Sequence, residues 1–124
     1  MNLVIKGNTP SQKNRKIISQ NRATGRPFLR TAPAVKVWQD SAFYQLRVQA
    51  QKLPAFEYPI ALNVVIWYGN KRRHDLDNGL SSVLDALVAA RIIPDDNTDH
   101  LSCITVQFGG YDKDNPRVEI DLDS

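Results

Sequence analysis

The sequence has almost no cysteine and no long apolar run, and both absences narrow the class of protein. Cys103 is the only cysteine, so the chain can form no internal disulfide, and the spaced Cys and His residues of a zinc site are missing. Its strand-like neighbours Ser102 and Ile104 predict a buried core thiol. No apolar run approaches the roughly 18 residues of a membrane span, and the polar, basic N-terminal stretch has no signal-peptide core. We therefore expect a cytoplasmic protein without a membrane partner.

The remaining composition is that of an ordinary globular protein. Hydrophobic residues make up 42% and charged residues 23% of the 124 positions, so neither disorder nor a fibrous class is indicated. This length is enough for one hydrophobic core and too short for two. We expect a single domain over residues 1–124, with a basic loop or hairpin at about residues 8–30.

Acidic residues are missing from the first third of the chain. Residues 1–39 contain no acid and eight basic side chains, which are Lys6, Lys13, Arg15, Lys16, Arg22, Arg26, Arg30 and Lys36. Residues 74–124 carry eleven acids against three Lys or Arg. Such segregation predicts a basic surface for a polyanion, most simply nucleic acid, and an acidic cluster with a separate task. The alternative is a solvated basic loop without a partner.

The N-terminal half shows three strand signals, a helix and a fourth strand. Leu3–Ile5 is a short strand, and the turn-forming segment 21–25 predicts the tip of a hairpin within residues 8–30. Apolar residues then recur at threes and fours from Val35 to Leu46, which is typical of a helix that Pro54 ends. The β-branched run 60–68 predicts a central strand buried on both faces.

The C-terminal half predicts a second helix and two strands. The helix begins near Asp77 and extends to about Arg91, and alternating apolar residues predict strands at 101–108 and 117–122. The order is βββαβαββ. It favours an α/β fold, a single-layer mixed β-sheet with two main helices, in which a strand–helix–strand crossover brings acidic residues to one end of the sheet.

Two clusters of aspartate residues are the candidates for the catalytic site. Asp75 and Asp77 directly follow the basic run Lys71–Arg73, and the Asp95–Asp96 pair follows the second helix. Clustered carboxylates repel each other unless a cation lies between them, and carboxylate oxygens are ligands that Mg²⁺ prefers. The pattern predicts a magnesium site beside a phosphate-binding run, suited to phosphodiester hydrolysis. The structural alternatives are helix capping by Asp75 or Asp77 and ordinary turn formation by Asp95–Asp96.

The distance between the two acidic groups is a difficulty. A helix of about 14 residues is roughly 21 Å long, so Asp77 and Asp96 cannot meet along it. Either the turn after Pro94 doubles back, or a second copy of the molecule completes the site; the sequence leaves both open.

No side-chain nucleophile is evident. The sequence shows no Ser/His/Asp or Cys/His arrangement, and its two histidines, His74 and His100, lack the spacing of a zinc helix. Hydrolysis by an activated water needs neither a nucleophilic side chain nor a small-molecule organic cofactor.

The motifs resemble those of RusA-type Holliday junction resolvases, small magnesium-dependent endonucleases of bacteria and their prophages. The likeness spans most of the chain and is dense at residues 71–97. The segments that carry it are Thr9–Arg15, Arg72–Asn78, Leu84–Leu87 and Asp95–Asp96. The resemblance implies that Asp75, Asp77 and Asp96 are catalytic metal-binding carboxylates, supported by Asp95 and Asn78. It also implies Mg²⁺, with Mn²⁺ as an alternative, and a homodimer that cuts opposite strands of four-way junction DNA symmetrically.

The chain departs from this family at one position. Where members often have a functional lysine one helical turn after the second catalytic aspartate, this chain has Ser81, so Arg73, Lys13 or Arg15 is a candidate for that role. Asp85 is interpreted as a buried hydrogen-bonding acid or a supporting residue of the site. The residues expected to contact DNA are Lys13, Asn14, Arg15, Lys71, Arg72, Arg73 and Asn78.

Two other functions remain open. The first is a metal-dependent nuclease of other branched DNA, such as flaps or forks. The second is a non-catalytic branched-DNA-binding protein whose acids only cap helices or repel misplaced DNA.

Overall fold

A computed structural model describes residues 2–10 and 16–123 of the chain. Its elements follow the predicted order βββαβαββ, which confirms the fold class. They are β1 (Asn2–Lys6), β2 (Lys16–Gln20), β3 (Pro27–Thr31), α1 (Pro33–Ala50), β4 (Ile60–Tyr68), α2 (Leu76–Ala89), β5 (Leu101–Tyr111) and β6 (Arg117–Asp123). No helix in these described ranges is long and apolar enough to cross a bilayer.

Four strands form the main sheet in the order β1-β6-β4-β5. β4 and β5 are parallel, while the other pairs are antiparallel, so the sheet is mixed as predicted. α2 is the crossover that connects the two parallel strands, because parallel neighbours need a connection that returns to the starting end of the sheet. β2 and β3 form a separate antiparallel hairpin, and its exposed tip at residues 21–25 confirms the predicted turn.

The hydrophobic core lies on one face of the sheet, under both helices. Alternate residues of β4 from Ile60 to Tyr68 are fully buried against α1 and α2. α1 contributes Val35, Trp38, Ala42 and Leu46, the predicted apolar stripe. The prediction that β4 is buried on both faces is wrong, because Asn63 on the opposite face is exposed. No helix covers that face among the described residues, and on it the apolar side chains of Ala61, Val65 and Trp67 lie among polar ones such as Asn63 and Glu119.

The two outer strands of the sheet differ in how their free edges are covered. On β1, the Gln49 side chain bonds both to the amide and to the carbonyl of Val4, and Gln45 does the same for Lys6. Each of these two glutamines of α1 therefore satisfies the backbone N–H and C=O of one residue on the free edge of β1. β5 has no such cover among the described residues.

Exposure along β5 corrects one prediction. The alternation is as expected, with Ile104, Val106 and Phe108 on the core face beside Leu62, Val64 and Ile66 of β4. Because β5 is an edge strand, however, Ile104 and Phe108 are 36% and 48% exposed. Cys103, on the other face, is also exposed, so the predicted buried thiol is wrong.

Candidate active site

Asp75 and Asp77 lie just beyond the Tyr68 end of β4, at the first turn of α2. Asp75 is the N-cap residue, but its side chain makes no capping hydrogen bond. Its Oδ2 instead accepts a hydrogen bond from the Asn78 side-chain amide at 3.4 Å, and Asp77 Oδ1 accepts one from the Asn78 backbone amide at 3.0 Å. Helix capping therefore does not account for the Asp75 carboxylate, which Asn78 orients.

The loop before the two aspartates holds the basic run in place. His74 stacks flat on Tyr68, with ring centroids 3.7 Å apart and planes 4° from parallel, and its Nε2 lies 3.0 Å from Asn70 Oδ1. The Arg72 backbone amide donates to the same Asn70 oxygen. With both ends of the loop fixed, Lys71, Arg72 and Arg73 are all exposed to solvent beside the aspartates. His74 serves here as an anchor of the loop.

A small group of buried polar atoms lies beneath the aspartates. The hydroxyls of Tyr68 and Thr9 are buried and have no hydrogen-bond partner within the described chain. Burial, and secondarily the negative charge of Asp75, raises the pKa of Tyr68 above its ordinary value, so this hydroxyl stays neutral. Sequence reasoning left these two residues out of the site. The inward alternation of β4, which ends on Tyr68, was the available signal.

The segment that precedes Lys13–Arg15 adjoins the basic loop. The Asn8 side chain accepts a hydrogen bond from the Gly69 amide, and Thr9 is buried. A cavity of about 230 Å³ separates this segment from the loop and from the start of α1; it is lined by Asn8, Thr9, Pro10, Ala34, Val35, Asn70, Arg72, Arg73 and His74. Lys13, Asn14 and Arg15 themselves lie outside the described residues.

Asp95 and Asp96 lie at the other end of the crossover. Asp95 accepts hydrogen bonds from the Asp96 amide and from the Asn97 side chain, as a turn-forming aspartate does. Asn97 in turn bonds to His100, and the His100 carbonyl accepts from the Ile60 amide. This chain of bonds fixes the turn at the Ile60 end of β4.

The two acidic groups are therefore separated within one chain. Eight residue steps from Ile60 to Tyr68 correspond to roughly 26 Å along the strand, with Asp75 beyond one end and Asp96 beyond the other. Parallel pairing of β4 and β5 enforces this, because α2 must return the chain to the starting end. Over residues 2–10 and 16–123, no three His, Cys, Asp or Glu side chains form a group that could hold a metal.

The two supporting residues lie along α2. Ser81 is half-buried one turn after Asp77. Asp85 is exposed, so its interpretation as a buried acid is wrong, and it lies roughly 12 Å along the helix axis from Asp77.

Comparison with known proteins gives the family. The model of the family described as endodeoxyribonuclease RusA matches residues 8–123. The chain is also 35% identical over 65 residues to a crossover junction endodeoxyribonuclease RusA of Aquifex aeolicus (strain VF5), a match that covers 52% of this chain and 51% of that protein. The matched region thus spans about half of that relative's length. The family match covers both acidic groups, the basic loop and strands β4, β5 and β6 of the main sheet, and the chain belongs to the RusA endodeoxyribonuclease family.

Proposed function

We propose that this protein is a Mg²⁺-dependent endodeoxyribonuclease that resolves four-way DNA junctions by paired, symmetric strand cuts, as a cytoplasmic homodimer in DNA recombination and repair. The observation that carries the proposal is the Asp75 carboxylate, which is not used in capping α2 and lies beside Asp77 and an exposed basic loop. Family membership and the name of the relative support the same activity.

The donor atoms of this site suit a hard divalent cation. Asp75 and Asp77 offer carboxylate oxygens at one end of the sheet, and Asn78 keeps the first of them oriented. Asp96 is the third proposed ligand, supplied by a second copy of the molecule because β4 separates it from Asp75 within one chain, and Asp95 supports it. These carboxylates would hold Mg²⁺, or Mn²⁺ in its place, and the bound ion would supply a water of lowered pKa and positive charge beside the phosphate.

The protein's own side chains bind and orient the DNA. Arg72 and Arg73 are exposed next to the aspartates, where their guanidinium groups can hold a phosphate, and Arg73 is the candidate for the charge that Ser81 does not supply. Lys71 and the segment with Lys13, Asn14 and Arg15 extend this basic surface in our proposal. Arg22 and Arg26 are exposed in the hairpin and add positive charge.

Replacing Arg72 and Arg73 by alanine tests the basic loop. The logarithm of the affinity falls with the logarithm of the salt concentration. Each lost phosphate contact is expected to make this slope less steep by about one unit. The double variant should therefore bind junction and duplex DNA more weakly by a similar factor, measured by fluorescence anisotropy over a salt series. Lys52→Ala, which removes an exposed charge beyond α1, is the matched control and should leave the slope unchanged. An unchanged slope in the double variant would remove the loop from the DNA interface.

Cleavage of a labelled synthetic four-way junction tests the function itself. The junction, a flap, a fork and a linear duplex are each incubated with the protein and Mg²⁺ or with EDTA, and the products are separated on a denaturing gel. Paired cuts at symmetry-related positions of the junction, with Mg²⁺ only, are the expected result. Preferential cutting of flaps or forks would favour the other branched-DNA nuclease. Binding without cutting under every metal condition would favour the non-catalytic protein.

A further inference from the structure

A cavity of about 500 Å³ lies between the end of α1, the segment 51–58 and the turn that follows α2. Apolar side chains, among them Leu53 and Phe56, form part of its wall. Tyr44 and Tyr58 also line it, and these two rings are 70% and 38% exposed. Exposed aromatic rings beside an apolar wall are a surface on which a nucleic-acid base can stack.

Two arginines give this cavity a positive charge. Arg47 and Arg91 line it, and none of the described residues that line it is acidic. Arg47 Nη1 donates a hydrogen bond to the Ala90 carbonyl oxygen at 3.0 Å, which holds its guanidinium group at the end of α2. Arg91 follows Ala90 directly, so the two helix ends bring two guanidinium groups to one cavity. Guanidinium groups bind phosphate well because they present paired N–H donors.

The backbone of Arg91 is strained. Its φ is 60°, and no other residue except glycine has a positive φ over the ranges 2–10 and 16–123. The Ile92 amide donates to the Leu87 carbonyl and the Arg91 amide to the Val88 carbonyl, a helix end at which glycine is the usual residue. A side chain in this left-handed conformation costs stability that glycine would not. An arginine at such a position points to a use for its side chain.

The cavity adjoins the turn that carries Asp96. Tyr58 packs edge-on against His100 with ring centroids 5.1 Å apart, and His100 Nδ1 lies 2.9 Å from Asn97 Oδ1 in that turn. Arg91 precedes Asp96 by five residues, so their Cα atoms are at most roughly 18 Å apart. A DNA strand rises about 3.4 Å per nucleotide, so this distance corresponds to about five nucleotides.

We infer that this cavity binds one unpaired nucleotide of the DNA, within about five nucleotides of the cut. Arg47 and Arg91 hold its phosphate, and Tyr44 and Tyr58 contact its base. The inference rests on the proposed function for the identity of the ligand and for the place of Asp96 beside the cleaved phosphate. A base can enter the cavity only after it leaves the stack, which costs least where it is already unpaired, as it can be at a branch point. The cavity thus favours branched DNA over linear duplex.

Three duplexes of one sequence test the contact to the base. The first is fully paired, the second has one unpaired thymidine at its centre, and in the third an abasic residue replaces that thymidine. In EDTA, the wild-type protein should bind the second about tenfold more tightly than the third, because a base stacked on an aromatic side chain contributes roughly this factor. Fluorescence anisotropy provides the measurement. Tyr44→Ala should remove most of this preference, and Tyr44→Phe, which keeps the ring, should retain it.

Arg91→Gly separates binding from stability. Glycine relieves the left-handed strain, so the midpoint of urea unfolding should rise, whereas Arg91→Ala keeps the strain and should not raise it. Both variants lose the guanidinium group and should bind the thymidine-bulged duplex about tenfold more weakly, with a salt slope less steep by about one unit. A purely structural role of Arg91 would not produce a gain in stability together with a loss of binding.

Two control variants accompany this pair. Arg91→Lys keeps a positive charge at the cavity and should retain the salt slope of the wild-type protein. Lys52→Ala removes an exposed charge just beyond α1 that does not line the cavity, and it should leave both the thymidine preference and the slope unchanged.

Either of two results would overturn the inference. Equal affinity of the wild-type protein for the thymidine and abasic bulges would show that the cavity holds no base. Unchanged affinity and salt slope in Arg91→Gly and Arg91→Ala would show that it holds no phosphate. Failure of the proposed function gives a different pattern, in which the wild-type protein cuts no DNA with Mg²⁺ but keeps the thymidine preference and loses it with Tyr44→Ala.

Discussion

Asp77→Asn is expected to abolish Mg²⁺-dependent cleavage of four-way junctions while DNA binding in EDTA is retained. The substitution keeps the shape of the side chain and removes one of the two negative charges at the first turn of α2. Loss of a carboxylate that holds the cation should cost on the order of 10²- to 10³-fold or more in the rate of the chemical step, as loss of other charge-stabilising groups does. Affinity for DNA should stay equal or increase, because a repulsive charge near the phosphates is gone.

Single-turnover cleavage and binding of the same labelled junction provide the measurement. Asp40→Asn is the matched control, since it removes an exposed aspartate of α1 whose only ion pair in the described chain, with Lys36, is solvent-exposed and contributes little stability. It should leave both rate and affinity unchanged. Cleavage by Asp77→Asn at the wild-type rate would exclude Asp77 from the metal site and favour its alternative role at the helix terminus.

The element order could be predicted because each element has a strong local signal. The apolar stripe from Val35 to Leu46 has the spacing of a helix, and the alternation of residues 117–122 has that of a strand. The structure confirms both elements. Two of the errors of burial, at Asn63 and Cys103, share a cause. A continuous apolar run does not say which face a helix covers or which strand lies at the edge of a sheet. Those properties depend on the strand order β1-β6-β4-β5, which no local pattern encodes.

The sequence could predict which residues belong to the candidate site, but it could not predict where they lie relative to one another in the fold. Asp75, Asp77 and the basic loop lie together because they are neighbours in sequence. The position of Asp96 depends instead on whether β5 returns parallel or antiparallel to β4, and the parallel return carries it to the opposite end. Tyr68 and Thr9 come from distant parts of the chain, and both lie close to Gly79 only in the folded protein.

Gly79→Ala is expected to destabilise the protein although it replaces glycine by the best helix former. In an exposed helix interior this change gains about 1 kcal/mol. At Gly79 a Cβ would lie 2.8 Å from the Tyr68 hydroxyl oxygen and 2.9 Å from Ile66 Cδ1, both in fully buried side chains of β4. Relief of this overlap must move α2 or the buried side chains of Tyr68 and Ile66, and overpacking of this kind costs about 1–3 kcal/mol. We therefore expect a net loss in the free energy of unfolding, measured by urea titration.

Two further variants separate overpacking from helix propensity. Ala89→Gly, at the exposed end of the same helix, should lose at most about 1 kcal/mol and shows the ordinary effect of propensity. Tyr68→Phe removes the hydroxyl that the new methyl group would meet, so the double variant with Gly79→Ala should recover part of the loss, a coupling that a double-mutant cycle measures. A stability gain from Gly79→Ala alone would show that α2 does not approach β4 this closely. The close approach matters for the proposed function because Gly79 holds the N-terminal part of α2, which includes Asp77, against Tyr68 at the end of β4.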